Sequence, residues 1–229
     1  MSSNRPKALI SWSSGKDSAF ALHEVRRAGD YDVVGALTTV TETFGRVSIH
    51  GVREDILRAQ CVAAGLPQWI VPIPYPCPNE IYEARMAKAV TRAVSEGITH
   101  IIFGDLFLAD IRAYREQKLA GTGLTPVFPL WDRPTAPLAS AMIESGLQAF
   151  LATVDLKKLP ADFAGRQFDA RLLADLPDGV DPCGENGEFH TCVVAGPMFA
   201  HRLQVSVGER VERDGYGYCD LTLRQQNEA

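Results

Sequence analysis

The segment Ser13–Ser18, with the sequence Ser-Ser-Gly-Lys-Asp-Ser, constrains what this chain can fold into more than any other stretch. It follows a short apolar run typical of a buried strand, Lys7–Trp12, and opens a helical pattern over Asp17–Arg27. Backbone N–H groups at a helix N-terminus carry partial positive charge and bind anions. The lysine adds a charge, the serines add donors, and the glycine lets the backbone approach an oxyanion closely. We call this segment the phosphate loop and predict that it binds phosphate.

The spacing of the phosphate loop excludes two other lysine motifs. A Walker A loop requires a glycine five positions before the Gly-Lys pair, where this chain has Ile10. The pair Ser13 and Lys16 also has the spacing found in penicillin-binding enzymes, but their Ser-Asp-Asn and Lys-Thr-Gly motifs are absent from the sequence. An ordinary polar turn before a helix is the simpler alternative.

Strand-like and helix-like patterns alternate through the first half of the chain, which predicts an α/β fold with a parallel, doubly wound, Rossmann-like sheet. In such sheets ligands bind at the carboxyl ends of the strands. We therefore expect the phosphate loop, the polar segment Val40–Gly51 and the segment that begins at Gly104 to lie along one rim. The predicted strands are Lys7–Trp12, Asp32–Val40, Trp69–Ile73 and His100–Phe103. The predicted helices are Asp17–Arg27, Val52–Ala64 and Glu80–Glu96, which are ended by Gly29, Gly65 and Gly97.

The pattern changes after Gly123, where several prolines precede an amphipathic helix that ends at Gly146. A strand follows at Leu147–Val154, and alternation over Phe199–Leu223 around Asp214-Gly215 predicts a hairpin. We place a boundary near Leu130–Pro134 and expect two domains, residues 1–132 and residues 133–229.

Gly104 and Asp105 follow the fourth predicted strand, at the expected rim. The Asp105 carboxylate is a candidate ligand for Mg²⁺, which prefers oxygen donors. It is equally suited to cap the next helix. The segment Asp110–Glu116 is dense in charged and aromatic side chains, and a solvated, salt-bridged helix face is its simplest interpretation.

The segment Gly184–Thr191, Gly-Glu-Asn-Gly-Glu-Phe-His-Thr, places two carboxylates, Glu185 and Glu188, three residues apart between glycines. We interpret it as a loop that folds over the nucleotide and contacts substrate or metal, and a plain polar loop is the alternative. His190 could transfer a proton near neutral pH, although a lone histidine is more often structural.

The composition is that of a water-soluble protein, with 46% hydrophobic and 22% charged residues among 229. The net charge of -5 argues against a broad nucleic-acid surface. No apolar run is long enough to cross a membrane, and the first residues lack the core of a signal peptide, so we expect a cytoplasmic protein. Five scattered cysteines form no Cys-x-x-Cys pair, which favours reduced thiols over a zinc site.

Four motifs, in this order, resemble the diphthine–ammonia ligase family, a branch of the PP-loop ATP pyrophosphatases in the adenine nucleotide alpha hydrolase-like superfamily. They are the phosphate loop, Gly104–Arg115, Pro129–Trp131 and Gly184–Thr191. The family pairs a Rossmann-like nucleotide domain with a smaller C-terminal domain, which implies that residues 1–132 bind the nucleotide and that residues 133–229 form a smaller α+β domain that binds the substrate. Ser14 stands where the family's loop usually has glycine, which puts the local loop geometry in question.

The resemblance implies site residues and a reaction. A substrate carboxylate would attack the α-phosphorus of ATP, pyrophosphate would leave, and ammonia would displace AMP to give an amide. Mg²⁺ would accompany ATP, and the substrate could be diphthine on elongation factor 2 if the source organism makes it. The implied ATP-binding residues are Ser13, Ser14, Gly15, Lys16, Asp17, Ser18 and Gly104; the implied catalytic residues are Lys16, Asp17, Asp105, Glu185 and Glu188, with Asp105 for Mg²⁺.

Two other functions remain open from the sequence. A tRNA-modifying PP-loop enzyme would commonly use a cysteine pair, which this chain lacks, and its acidic balance also makes nucleic acid an unfavoured partner. A nucleotide-binding sensor without turnover would retain the fold but not the reaction. The sequence does not determine the oligomeric state, and a homodimer is compatible with it.

Overall fold

The computed structural model of the protein describes residues 5–48 and 51–224. The first four residues, on which the absence of a signal peptide partly rested, lie outside that range, as do residues 49–50 of the predicted rim loop. The strands are β1 Lys7–Ser11, β2 Asp32–Thr41, β3 Arg46–Val47, β4 Gln68–Ile73, β5 His100–Ile102, β6 Thr125–Val127, β7 Gln148–Asp155, β8 Phe189–Ala195, β9 Val205–Arg213 and β10 Tyr216–Leu223. The α-helices are α1 Lys16–Ala28, α2 Glu54–Ala64, α3 Asn79–Ser95, α4 Ala109–Leu119, α5 Thr135–Glu144 and α6 Ala170–Asp175.

The first sheet confirms the predicted fold class. Its parallel strands run in the order β4-β2-β1-β5-β6, with helices in the crossovers, and short β3 pairs antiparallel with the end of β2. Since β1 is central, the phosphate loop at its carboxyl end lies at the point where the strand order reverses, which is where doubly wound sheets bind ligands. Helix α1 ends as predicted at Gly29, whose φ is 76°.

Strand β6 was not predicted. Pro126 lies within it and pairs with Ile101, and a proline argues against a central strand because it cannot donate a ladder hydrogen bond. β6 is an edge strand, where that missing donor is tolerated. The polar segment Val40–Gly51 contains a short strand, β3, that was not predicted either.

The second sheet is antiparallel, in the order β8-β7-β10-β9. The predicted hairpin is confirmed: β9 and β10 are joined by Asp214 and Gly215, whose φ values are 54° and 83°. Positive φ at both central residues is what a tight hairpin turn with the right twist needs. The segment Gly184–Thr191 was interpreted as a loop throughout, and this is wrong for its last three residues, which begin β8.

One hydrophobic core joins the two sheets. It includes Ile10 and Trp12 from the first sheet and Leu151 and Val193 from the second, all buried. A second, smaller core lies on the face of the first sheet that α3 covers. The chain leaves the first sheet after β6 and enters the second sheet at β7. The domain boundary near residue 132 stays a prediction. Within the described residues, the helices are too short or too polar to cross a membrane.

Candidate active site at the end of the central strand

The phosphate loop closes on itself through its serines. Ser13 Oγ lies 3.1 Å from Ser18 Oγ and accepts a hydrogen bond from the Gly15 N–H at 3.3 Å. Ser18 Oγ in turn lies 3.0 Å from the Gly15 carbonyl. Gly15 has extended backbone, and α1 begins at the next residue, Lys16. The loop is therefore a tight turn that brings the N-terminus of α1 to the rim of the sheet.

Ser14, the departure from the family pattern, has a left-handed backbone with φ 69°. Its side chain is fully buried, and Oγ has no hydrogen-bond partner among the described residues. The Ser14 carbonyl is well satisfied, because it accepts from the Val193 N–H at 3.0 Å and from Gln60 Nε2 at 3.1 Å. The loop thus keeps a backbone conformation at Ser14 that suits glycine, and the Ser14 hydroxyl does not help to hold that conformation.

The side chain of Lys16 lies beneath the second sheet. Only 2% of the residue is exposed, and Nζ is 2.8 Å from Asp17 Oδ2 and also donates to the Cys183 carbonyl. The rings of Phe168 and Phe189 lie 5.7 Å and 5.4 Å from Nζ. Burial is the largest single influence and lowers the pKa of Lys16, but the attraction and hydrogen bond of Asp17, with smaller contributions from Cys183 and Glu185, together raise it above the ordinary value. Lys16 therefore keeps its positive charge.

Gly104 and Asp105 lie against the phosphate loop, as expected. A Cβ on Gly104 would come within 2.7 Å of the Asp17 carbonyl carbon and 2.8 Å of the Ser18 nitrogen, so only glycine fits there. Asp105 does not cap the following helix, since the N-cap of α4 is Leu108. Both Asp105 carboxylate oxygens instead accept from Arg115, at 2.6 Å and 2.9 Å.

Glu185 joins the loop before β8 to the first domain. Its carboxylate accepts from the Leu106 N–H at 2.8 Å, and its own N–H donates to Asp181 Oδ2 at 2.8 Å. Burial raises the pKa of Glu185 to about 7, against a partial lowering by the Leu106 hydrogen bond. A carboxyl group with a near-neutral pKa in a cavity is suited to acid–base chemistry.

Glu188 does not lie on the wall of this cavity. Its residue is 1% exposed, Oε1 accepts from Asn186 Nδ2 at 3.1 Å, and Lys158 Nζ lies 3.7 Å from it. Its carbonyl accepts from the Asp155 N–H at 2.9 Å. These contacts hold the loop before β8 in place. Of the two predicted carboxylates, Glu185 therefore lines the cavity, whereas Glu188 is buried away from it.

Two adjoining cavities open at the carboxyl end of β1. The smaller, of about 240 Å³, is the more polar of the two, and the larger, of about 930 Å³, runs between the sheet, α3 and α4. Of the predicted site residues, Ser13, Lys16, Asp17, Ser18, Gly104, Asp105 and Glu185 line the smaller cavity, whereas Ser14, Gly15 and Glu188 do not. Both cavities are lined by Ser11, Ser13, Phe103 and Arg115.

Sequence reasoning missed several residues that shape the site. Arg115 and Thr191 lie within motifs that were singled out, but no role was assigned to either. Thr191 Oγ1 accepts from the Lys16 N–H at 3.0 Å. Gln60 is fully buried in α2, and its Oε1 accepts from Trp12 Nε1 at 3.0 Å while Nε2 donates to the Val193 carbonyl at 2.8 Å. Nothing in the sequence around Gln60 indicates this role.

His190 is held neutral in this site. Burial, with a smaller contribution from Lys16, lowers its pKa to about 4. The residues are not arranged as a metal centre: no group of three or more potential side-chain ligands occurs in the described ranges, and Arg115 occupies both oxygens of Asp105. Mg²⁺ that arrives with a nucleotide would thus rely chiefly on phosphate oxygens.

Comparison with known proteins identifies relatives of the C-terminal domain and of the chain more widely. Residues 135–226 match the family described as the diphthamide synthase C-terminal domain. The chain is 34% identical to a diphthine–ammonia ligase from Danio rerio over 110 residues, which are 45% of this chain and 43% of the relative. The corresponding human enzyme is 31% identical over 110 residues, covering 45% of this chain and 41% of the relative.

Two more distant similarities were found. A Schizosaccharomyces pombe diphthine–ammonia ligase is 30% identical over 106 residues, covering 44% of this chain but 18% of that protein. The solved structure of a U34-tRNA thiolase from Methanococcus maripaludis matches 62% of this chain and 57% of its own at a TM-score of 0.38 and 18% identity. The chain thus spans less than half the length of the curated relatives that it matches. Residues 135–226 thus match the diphthamide synthase C-terminal domain, and the chain is similar to diphthine–ammonia ligases over about 45% of its length.

Proposed function

We propose that this protein is an ATP-dependent amide ligase that releases AMP and pyrophosphate. The observation that carries the proposal is the pair of adjoining cavities at the end of β1, which share Ser11, Ser13, Phe103 and Arg115. The smaller, polar cavity suits the phosphates, and the larger, mainly apolar one suits the adenosine. Together they would hold one extended nucleotide across the end of the central strand.

Three residues of the first turn of α1, Lys16, Asp17 and Ser18, line the polar cavity. A helix N-terminus favours negative charge, and the Lys16 ammonium adds to that field where the surrounding protein screens charge less than water does. Arg115, which is paired with Asp105, is a second cation that lines the cavity. Positive charge that is already in place would stabilise the negative charge that develops on the phosphates in the transition state.

The reaction that we propose has two steps. A substrate carboxylate oxygen attacks the α-phosphorus of ATP; the new P–O bond forms an acyl-adenylate, and the bond to pyrophosphate breaks. Ammonia then attacks the carbonyl carbon, a C–N bond forms, and AMP leaves with the electron pair of its C–O bond. Nitrogen loses a proton in this step, and Glu185, whose pKa lies near 7, is placed at the cavity to accept it.

The family resemblance suggests diphthine on elongation factor 2 as the substrate, since the curated relatives are diphthine–ammonia ligases. Sulfur transfer to tRNA is less favoured by the chemistry of the cysteines. Burial raises the pKa of both Cys183 and Cys192 to about 12, so neither is a ready thiolate nucleophile. A cytoplasmic location remains an expectation from the sequence.

The decisive experiment measures the first step alone. The protein is incubated with ATP, Mg²⁺, labelled pyrophosphate and diphthine-bearing elongation factor 2, without ammonia, and label entering ATP is counted. We expect exchange that depends on the protein substrate, and AMP with an amide product once ammonium is added. ADP and phosphate as products would contradict the proposal, because they indicate attack at the γ-phosphorus.

Lys16→Ala is the matched variant for this assay, and Lys157→Ala, which removes an exposed lysine, is its control. We expect Lys16→Ala to weaken ATP binding and to abolish the exchange, and Lys157→Ala to retain both. Tight ATP binding by calorimetry, without exchange or AMP in the presence of the modified elongation factor, would instead support a nucleotide sensor.

A further inference from the structure

Strand β9 is an edge of the second sheet with an unusually open surface. It pairs with β10 on one side, and no strand of the described residues 5–48 and 51–224 pairs with its other side. Its residues 207–213 are all exposed, and they include Val207 at 44% and Val211 at 49%. Such an edge presents backbone N–H and C=O groups that can bind another strand.

The charges on β9 follow an order that complements itself. The strand contains the sequence Glu209-Arg210-Val211-Glu212-Arg213. In reverse order it is Arg-Glu-Val-Arg-Glu, so each charged position then has the opposite charge. In an antiparallel pair of two such strands with Val211 opposite Val211 of a second copy, Arg210 lies opposite Glu212 and Glu209 lies opposite Arg213. Every charge then faces its opposite, and the exposed valines meet at the centre.

Neighbouring registers lose this match. A slip of one residue places Glu209 opposite Glu212 or, in the other direction, Arg210 opposite Arg213. A slip of two residues places Arg210 or Glu212 opposite itself. Like charges directly opposite one another destabilise a strand pair, while opposite charges contribute roughly 0.2–1 kcal/mol each. The charges at this edge therefore favour the register centred on Val211 over the registers one or two residues away from it.

We propose that β9 is a self-association surface, at which two copies pair antiparallel about a two-fold axis through Val211. The two four-stranded sheets would become one continuous sheet across this axis. Arg210 is already oriented within its own chain, since Nε donates to the Ala164 carbonyl at 2.7 Å. Glu209 and Arg213 lie on the other face of the strand from Arg210 and are exposed, so they are the pair to test. The inference does not depend on the proposed function.

The test uses two single charge reversals of the full chain, Glu209→Arg and Arg213→Glu. Each variant alone places like charges opposite one another on both sides of the axis, so each should sediment as a monomer. When the two variants are mixed, the arginine introduced at position 209 of one copy lies opposite the glutamate introduced at position 213 of the other. In the second half of the pair, the native Arg213 lies opposite the native Glu209. We expect wild type and the mixture to sediment with twice the 25.0 kDa mass of the chain at high concentration.

Two further variants complete the design. The double reversal Glu209→Arg with Arg213→Glu should associate as wild type does, and Glu144→Arg, an exposed reversal on α5, should leave association unchanged. Circular dichroism and thermal unfolding establish that each variant is folded. A wild type that stays monomeric, single variants that associate as wild type does, or a mixture that fails to associate would each overturn the proposal.

Discussion

The Lys16 N–H donates to Thr191 Oγ1 at 3.0 Å, although 175 residues separate the two in the chain. A helix leaves its first N–H groups without intrahelical partners, and here one partner comes from β8 of the second sheet. The neighbouring Val193 N–H donates to the Ser14 carbonyl at 3.0 Å. The C-terminal domain therefore completes the structure of the phosphate loop rather than only covering it.

Replacing Thr191 by valine should test this contact. The two side chains have similar shapes, so Thr191→Val removes the acceptor, leaves the buried Lys16 N–H unpaired and should cost about 1–3 kcal/mol of unfolding free energy. Thr191→Ser retains the hydroxyl and should lose less. Urea denaturation measures both, and equal losses in the two variants would indicate that packing, not the hydrogen bond, determines the effect.

Gln60→Leu should be more damaging, because Gln60 joins three segments. The substitution removes the Gln60 amide that bonds to the Trp12 side-chain N–H and to the carbonyls of Ser14 and Val193. We expect a loss of about 3 kcal/mol or more, together with weaker ATP binding by calorimetry. Gln117→Leu, on the exposed face of α4, should change stability by less than about 0.5 kcal/mol. A similar small change for Gln60→Leu would refute the role of this side chain.

Ser14→Gly should stabilise the protein. A left-handed backbone costs a non-glycine residue roughly 1–2 kcal/mol, and glycine removes this cost and the unpaired buried hydroxyl, against a smaller entropic loss. We expect a net gain of about 1 kcal/mol in thermal or chemical unfolding. Ser14→Ala removes the hydroxyl but keeps the strain, so it should gain less. A destabilised Ser14→Gly would show that the hydroxyl has a partner in solution.

Gly104→Ala should disturb nucleotide binding through the backbone. Its Cβ would meet the Asp17 carbonyl carbon at 2.7 Å, and backbone atoms at the start of a helix cannot move aside as a side chain can. We expect ATP affinity to fall at least about tenfold, which corresponds to about 1.4 kcal/mol. Gly217→Ala is the control, because its Cβ would meet the side chains of Val154 and Leu156 at 3.1 Å and 3.3 Å and backbone only at an ordinary 3.7 Å. It should lower stability modestly and leave ATP affinity unchanged.

The pH dependence of stability should reveal two opposed groups. The pKa of Glu185 is raised from 4.5 to about 7 by burial, so the folded state retains a proton that the unfolded state loses, and stability falls as pH rises through this window. The pKa of His190 is lowered from 6.5 to about 4 by burial, so its contribution has the opposite sign and is lost as pH falls.

Between about pH 4.5 and about pH 6.5 these two contributions should largely offset one another in the wild type. Glu185→Gln should leave only the contribution of His190, so that the free energy of unfolding rises with pH by up to about 1 kcal/mol per pH unit. His190→Gln should give a falling slope, and Glu144→Gln, an exposed change, should alter neither. Denaturant titrations at several pH values measure the slopes, and a Glu185→Gln profile parallel to wild type would contradict the raised pKa.

The sequence by itself determined the local features of this protein. Alternating apolar periods, bounded by glycines such as Gly29 and Gly65, predicted the βα units, and Asp214-Gly215 predicted the hairpin. The phosphate loop and Gly104 were correctly expected at the carboxyl ends of neighbouring strands, because a parallel sheet brings those ends together. These predictions needed only neighbours in the chain, so they were accessible without coordinates.

Only the tertiary structure decided how the site is completed. Strands β6 and β8 become recognisable through partners elsewhere in the sheet, and Gln60 acquires a role because its side chain reaches Trp12, Ser14 and Val193. Glu185 and Glu188 look alike in sequence, yet the turn between them sends one carboxylate to the cavity and buries the other. The physical reason is the same throughout: burial, charge and hydrogen bonding at these residues depend on atoms that are distant in the chain, and no local pattern encodes them.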